Sequence, residues 1–555
     1  MAIPDKKFNN KTCCIILFML GLILNIPVID VKLIPGYDYI FHVSRIEAVA
    51  EALKYGVFPV RMYVDSVQFW GAPVGIFYPS LFNYVPALLK LAGVPIEICY
   101  NIYIALIVYL GLFASWYGFS LLARSKTVGL LSSALYISSG YYLFDAYMRN
   151  ALGELLALSF MPLAIACIIN VINKNIVPFK IYLLSIFSIS AIIESHVLNS
   201  AFLSLFFICY IAISYKSITL VKSKKIFCLV IIIFILNATF IIPFLFFYKE
   251  VPLTVHFIND FAQNGVKLPI LFRLCIMWNA WILIGLYIFI SRKILGAKYY
   301  INYRHTQFRY YTSFFIMGIF FLFASSTIFP WNYLAPLRET FKFMQFPWRF
   351  LGYASLCLSM CGVFGLYIIL KKISLNIKTL GFVTTLICIF HLLAFTYLTP
   401  TTYYGNWDMA EKHYWFRKPF YSDEDYLYKD MNADLLYKQG NHYIAEANIS
   451  EWKKELTNIS FSYNSLTQDS KITLPLINYP GYVATNQIGN FIPISENDNH
   501  MMVIILPKGS GTVNIHYEPK LFKIADYISV IALSLLLYSM YWINKKNIGV
   551  KNISI

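Results

Sequence analysis

Asp38, His42 and Arg45 stand at positions i, i+4 and i+7 of the stretch IPGYDYIFHVSRIEAVAEALKYGVFPVRMY, which follows an apolar run. On a helix this spacing puts all three on one face. Ile46, Ala50 and Leu53 form a neighbouring apolar stripe, so the segment reads as an interfacial helix with its polar face toward a cleft. Three further polar groups interrupt apolar sequence. Asp145, Arg149 and Glu154 lie in FDAYMRNALGELLALSFMPL, Glu194 and His196 in IIESHVLNS, and Gln345, Trp348 and Arg349 in FMQFPWRFLG. Ionisable groups beside hydrocarbon are costly, so each needs a partner or a task. A carboxylate facing a cavity can act as general base on a hydroxyl. Arginines present forked donors suited to phosphate. Trp70, Phe77, Tyr78 and Phe82 supply apolar faces for sugar or isoprenoid.

Structural roles compete with each of these readings. Asp38 also fits a helix N-cap, and Arg45 also fits a pair with Asp38 or Glu47. Arg149 has Asp145 at helical i, i+4 spacing and Glu154 at a less favourable one. Glu154 is then either the acid of an ion pair or a second catalytic carboxylate. His42 serves the site, orients Asp38 or fills a packing gap, and Arg349 clamps phosphate or anchors the interface beside Trp348. The acidic run Asp423–Asp425 reads as a solvated loop in preference to a cation site.

The elements that must position these groups are membrane spans. The chain has 555 residues, of which 59% are hydrophobic and 13% charged, about half the charge content of a soluble domain. Apolar runs long enough to cross a bilayer recur along it. About twelve are expected, near 12–31, 98–123, 127–145, 153–173, 178–195, 197–215, 226–247, 269–291, 311–328, 349–370, 379–398 and 524–543. The first follows Lys6, Lys7 and Lys11 and lacks a small-residue cleavage site, so it reads as a retained span. With the N-terminus in the cytoplasm, every inside connection carries Lys or Arg, as orientation by charge requires. Both termini are then expected in the cytoplasm and all four polar groups on the outer side. Pro79–Gly93, short and containing Pro86, reads as a re-entrant or interfacial helix.

The net charge of +17 resides largely in these loops, without an aromatic-interleaved basic patch, so nucleic acid is not an expected partner. The ten cysteines lie in or beside apolar runs and form no disulfide framework. P-loop, GxSxG, HExxH and Gly-rich dinucleotide motifs are absent from the sequence. The expected fold class is an α-helical polytopic membrane protein with a small β-rich extracytoplasmic domain near the C-terminus. The expected domains are 1–398, including the first outer loop 31–97; 399–523, the β-rich part; and 524–555, a final span and basic tail. Within the β-rich part, NISFSYNS and KITLPLINYPGYVA read as strands, and MMVIILPKGSGTVNIHY reads as a hairpin.

The stretch GYDYIFHVSRIEAVAEALKYGVFPVRM resembles the G-[HY]-D-x-x-F-H-x-x-R-I…G-x-x-P-x-R pattern of bacterial multi-span proteins. They are described as 6-pyruvoyl-tetrahydropterin-synthase-related, a label that implies no pterin chemistry. YMRNALGELLALSFMPL, HVLNS and FPWRFL resemble later motifs of that group, and LINYPGYVA…LPKGSGTVNIHYEP resembles the outer domain of lipoteichoic-acid-glycosylating membrane proteins. Both groups resemble the GT-C class of glycosyltransferases, which use a polyprenyl-phosphate sugar donor at the outer face of the bacterial cytoplasmic membrane. The resemblance implies that Asp38 is the class's acidic residue in the first outer loop. Where many members have two adjacent acids, Asp38 is followed by Tyr39, so a carboxylate-bound divalent cation is not indicated. The implied activity is inverting sugar transfer to a cell-surface glycan, teichoic acid or lipid. Asp38 and His42 are the expected catalytic residues; Arg45, Arg149, Glu154, His196, Gln345 and Arg349 are the expected substrate or phosphate ligands. The alternatives are a flippase or exporter of lipid-linked glycans, and a non-enzymatic envelope-assembly protein.

Overall fold

In a computed structural model, the structure describes residues 9–29, 36, 38–64, 69–254, 262–271, 285, 305–334, 336, 338, 344–370, 377–398 and 425–552. The main helices in chain order are α1 (Asn10–Leu24), α2 (Tyr39–Lys54), α3 (Ile96–Ala123), α4 (Lys126–Ile137), α5 (Leu152–Asn173), α6 (Phe179–Ile193) and α7 (Val197–Ile213). They continue as α8 (Leu220–Leu236), α9 (Ala238–Glu250), α10 (His305–Ala324), α11 (Phe350–Leu370), α12 (Ile377–Leu398) and α13 (Lys520–Asn552). Helix therefore stands at each expected span except 269–291, which lies almost wholly outside the described residues, as does Arg273.

Three of these helices are long and apolar enough to cross a membrane: Ile96–Ala123, Leu152–Asn173 and Lys520–Trp542. A fourth candidate is the pair α8 and α9, bent by 79° at Asn237. Asn10–Leu24, Phe179–Ile193, Val197–Ala212, Ser313–Ala324 and Thr379–Phe395 are shorter apolar helices. The stretch Leu81–Leu91 is helical too, beginning as a 3₁₀ turn, at the place expected of an interfacial helix.

The chain forms two compact units. The first comprises residues 1–43, 93–226 and 257–416. At its centre is α5, buried on every face from Leu152 to Ile172. Its sequence is apolar all round, which suits a helix surrounded by protein. Small residues let its neighbours approach. Gly118 of α3 lies so close to the α5 backbone that a Cβ there would stand 2.6 Å from the Pro162 carbonyl oxygen. Hydroxyls supply the remaining adhesion between α3 and α4. Ser115 Oγ lies 2.7 Å from Ser133 Oγ, and Ser133 Oγ donates to the Leu112 carbonyl at 2.7 Å. Close backbone approach and hydroxyl bonds are how apolar helices associate where lipid weakens the hydrophobic drive.

The second unit comprises residues 44–92, 227–256 and 417–555. It contains two antiparallel sheets built from β1 (Ile444–Ala445), β2 (Asn448–Glu455), β3 (Asn458–Ser465), β4 (Ser470–Ile477), β5 (Tyr482–Asn486), β6 (Phe491–Ile492), β7 (Ile494–Glu496), β8 (Met501–Leu506) and β9 (Gly509–Tyr517). Their orders are β1-β4-β8-β7 and β2-β3-β9-β5-β6. Ile459, Phe461, Ile472, Leu474, Ile504, Val513 and Ile515 fill one shared core. NISFSYNS forms β3, and KITLPLINYPGYVA forms most of β4 and the start of β5.

The expected 501–517 hairpin does not form. β8 pairs with β4 and β7, whereas β9 pairs with β3 and β5. The Pro507–Lys508 connection carries the chain from one sheet to the other. Local alternation specifies a face for burial but not the partner strand, and here both strands bury their faces in the same core.

Within this unit α13 is fastened near its N-terminus. Arg61 places Nη2 2.5 Å and Nη1 3.1 Å from the two carboxylate oxygens of Asp526, and its Nη2 also donates to the Thr239 carbonyl at 3.2 Å. The guanidinium lies over the Phe522 ring at 5.5 Å. The Arg61 and Asp526 side chains are only 10% and 21% exposed, so removing one charge strands the other away from water. Arg61→Ala is expected to lower stability by about 2–4 kcal/mol, and the joint change Arg61→Met with Asp526→Leu by less than about 1.5 kcal/mol. Thermal unfolding of the purified protein in detergent checks this. Equal losses in the two variants would show that the ion pair is not what fastens the helix.

Candidate functional site

The sequence from Gly140 to Glu154 changes backbone geometry three times. Gly140–Phe144 is α-helical, Asp145–Arg149 closes a π turn, and Asn150 takes left-handed φ of 60° before α5 begins. Asn tolerates that conformation better than most residues. The π turn widens the spiral, so Arg149 does not stack squarely over Asp145. Its Nη1 lies 3.3 Å from Asp145 Oδ1 but 2.6 Å from Glu154 Oε2, in the first turn of α5. Arg149 and Glu154 are both buried.

Asn150 also seats the chain that carries Asp38. Its side-chain oxygen accepts from the Gly36 N–H at 2.6 Å, and its amide donates to the Ala146 carbonyl at 2.9 Å. A Cβ at Gly36 would stand 2.8 Å from the carbonyl carbon of Met148, so a side chain there displaces Gly36 from this seat. Two residues on, the Asp38 N–H donates to the Arg149 carbonyl at 2.9 Å. The Arg149 side chain returns the contact, with Nε 3.1 Å from Asp38 Oδ2. Asp38 lies just before α2, and its carbonyl accepts from the His42 N–H at 3.1 Å.

Arg349 joins from a 3₁₀ turn, Pro347–Arg349, before α11. Its Nε lies 3.5 Å from Glu154 Oε2, and its Nη1 donates to the Met344 carbonyl at 3.0 Å. Gln345, half-buried at φ 65°, turns the chain between them. Glu154 is thus the hub: Oε2 faces both arginines, and Oε1 accepts from the Tyr141 hydroxyl at 2.5 Å. Trp348 forms one wall, its ring 4.8 Å from the Arg149 guanidinium and 5.9 Å from that of Arg349. Phe144 packs edge-on to Trp348 at 6.2 Å and Phe346 stacks on it at 5.0 Å.

The cluster therefore holds three carboxylates and two guanidiniums. Exposure distinguishes the acids: the Asp38 side chain is 35% exposed, against 0% for Asp145 and 4% for Glu154. Asp145 Oδ2 is buried without a hydrogen-bond partner among the described residues. In chemical terms, one reachable carboxylate meets an arginine that a buried acid and an indole share with a second arginine.

Of the residues expected from sequence, Asp38, Arg149, Glu154 and Arg349 meet here. His42 is buried one turn after Asp38, its ring 5.3 Å from Phe41. His196 is buried at the start of α7. Arg45 belongs to the second unit, where it donates to the Tyr78 and Pro79 carbonyls at 3.1 and 2.6 Å and lies over the Tyr78 ring. Sequence reasoning overlooked Tyr141, Asn150 and Asn199. Asn199 accepts from the Tyr353 hydroxyl and directs its amide toward the Glu154 carbonyl at 3.5 Å. Its signal was an amide within HVLNS at the start of an apolar helix. Among the described residues, no group of three or more His, Cys, Asp or Glu side chains is arranged to hold a metal ion.

No protein-family model and no curated protein matches the chain. Among solved structures, it is similar to the arabinofuranosyltransferase AftD from mycobacteria, at 14% identity and TM-score 0.45, over 72% of this chain and 27% of that one. It is also similar to ArnT from Cupriavidus metallidurans bound to undecaprenyl phosphate, at 12% identity and TM-score 0.39. That match covers 65% of this chain and 60% of ArnT, so the chain spans less than two thirds of either protein.

Proposed function

We propose that this chain is a membrane glycosyltransferase that moves a sugar from a polyprenyl-phosphate donor to a hydroxyl of an extracytoplasmic acceptor. The observation that carries the reading is the partly exposed Asp38 carboxylate against Arg149, whose other side meets a buried acid that also faces Arg349. Such a site suits an amphiphilic donor, with its tail in the bilayer and its phosphate at the boundary. Asp38 takes the proton of the acceptor hydroxyl as that oxygen attacks the anomeric carbon. The bond from the anomeric carbon to the phosphate oxygen breaks, and the polyprenyl phosphate leaves with the electron pair. Arg149 and Arg349 stabilise the charge that gathers on the leaving phosphate. One displacement inverts the anomeric centre.

Glu154 holds both guanidiniums in place, and Tyr141 fixes the Glu154 carboxylate. His42 supports Asp38 from one helical turn away, and His196 and Gln345 shape the approach. Arg45 stiffens the loop that carries Tyr78 and Pro79. The acceptor is a cell-surface glycan, a teichoic acid or a lipid. Both chain termini face the cytoplasm of a bacterium, so that the site and the β-rich domain face outward.

Two measurements test this reading. Purified protein supplied with a labelled polyprenyl-phosphate sugar and an envelope extract is expected to transfer label, and Asp38→Asn to lower the rate at least ~100-fold. Equal transfer by the two proteins removes Asp38 from the chemistry. Movement of the labelled lipid across vesicles, without transfer by either protein, would instead assign a flippase. The second measurement separates the acids by stability. Glu154→Gln removes the buried charge that faces two arginines, leaving Arg149 with only Asp38 and its longer contact to Asp145, and is expected to cost about 3 kcal/mol. Asp38→Asn removes a partly exposed pair and is expected to cost less than about 1 kcal/mol. Unfolding in detergent gives both values, and similar costs would mean that Glu154 does not organise the site.

A further inference from the structure

We propose that Asp38 and the donor's phosphate are alternative partners of the same edge of Arg149, so that donor binding is what frees the base. This inference rests on the function proposed above. Arg149 is held on several sides. Its Nη1 is committed to Glu154 and Asp145, both sealed from solvent, and its face lies over the Trp348 ring. Its Nε points at Asp38, whose side chain is 35% exposed while those of the other two acids are 4% exposed or less. Among the contacts described for Arg149, the one at Nε is therefore the one whose partner an anion arriving from outside the cluster can displace.

The charge of Asp38 is balanced at Arg149, whose Nε it faces at 3.1 Å. An added phosphate brings further negative charge and must either repel Asp38 or take its place. A phosphate presents a forked acceptor to a guanidinium edge and competes well for it. The contest also decides whether the base can work. Asp38 Oδ2 faces the Nε–H of Arg149 at 3.1 Å, so one of its two oxygens is engaged and the carboxylate is held toward Arg149 rather than toward an acceptor. When phosphate takes the Nε edge, the carboxylate rotates away with its oxygens unoccupied.

Only a side-chain rotation is needed, because the Asp38 backbone is tied separately to the Arg149 carbonyl at 2.9 Å and the Gly36 N–H to Asn150 at 2.6 Å. Arg149 likewise keeps Glu154 and the Trp348 ring through the exchange. The exchange imposes an order. The donor seats first, and the acceptor hydroxyl then meets a carboxylate that is free to accept its proton.

The test is equilibrium binding of undecaprenyl phosphate to the full chain in nanodiscs, read by radiolabel retention, for the wild-type protein, Asp38→Asn and Asp38→Ala. Removing the competitor is expected to tighten binding about fivefold in both variants while sugar transfer is lost. Tighter binding by a variant that cannot transfer is the signature of competition, which a purely structural role for Asp38 does not produce. Two variants with wild-type or weaker affinity, beside a wild-type protein that transfers sugar, would overturn the exchange and leave the glycosyltransferase reading standing. A wild-type protein that binds no undecaprenyl phosphate would remove that reading and the exchange with it.

Discussion

The contact between Arg149 and Glu154 is the constraint on which the rest of the site depends. A guanidinium and a carboxylate withdrawn from water each carry a large desolvation cost, and their mutual attraction offsets it only when the geometry is good and the remaining donors and acceptors are satisfied. Here that condition recruits the surroundings. Glu154 takes a phenolic hydrogen bond from Tyr141 and faces a second arginine, and Arg149 lies over an indole. Arg349 is held in turn by the Met344 carbonyl, which the left-handed backbone at Gln345 brings within reach. The segments that meet at this pair begin α5, precede α11 and precede α2, so one buried contact registers three distant parts of the sequence.

How much of this was legible beforehand follows from the kind of signal each part carried. The helices stood out because a bilayer-length apolar run has few other uses, and a helix occurs at nearly every such run that the structure describes. Asp38, Arg149, Glu154 and Arg349 stood out because charge within apolar sequence demands an explanation. The nearer acid partner of Arg149 did not. Ideal helical spacing favours Asp145, but the chain departs from an ideal helix there. The π turn and the left-handed Asn150 bring Glu154 to 2.6 Å and leave Asp145 at 3.3 Å. Such departures are set by tertiary contacts, here the seat that Asn150 makes for Gly36.

The uncharged members of the site were hidden for a different reason. Tyr141 and Asn199 lie in apolar runs rich in aromatics, where a hydroxyl or amide is unremarkable until its partner is known. The sheet exchange between β8 and β9 is a further case. An apolar strand, MMVIIL, precedes an alternating one with Val513, Ile515 and Tyr517, and the intervening Lys-Gly-Ser-Gly stretch reads as a tight turn. Which sheet each strand joins depends on β3 and β4, neither of which announces its partner.

The burial of α5 bears on how the site behaves in different membranes. From Leu152 to Ile172 this helix is surrounded by protein, so annular lipids have little purchase on it. Changes in bilayer thickness act chiefly by tilting lipid-facing segments. The apolar window of α13 is only 17% buried and so meets lipid over most of its surface, whereas the helix that carries Glu154 presents no face for lipid to act on. Its depth is thereby a property of the polypeptide rather than of the surrounding hydrocarbon.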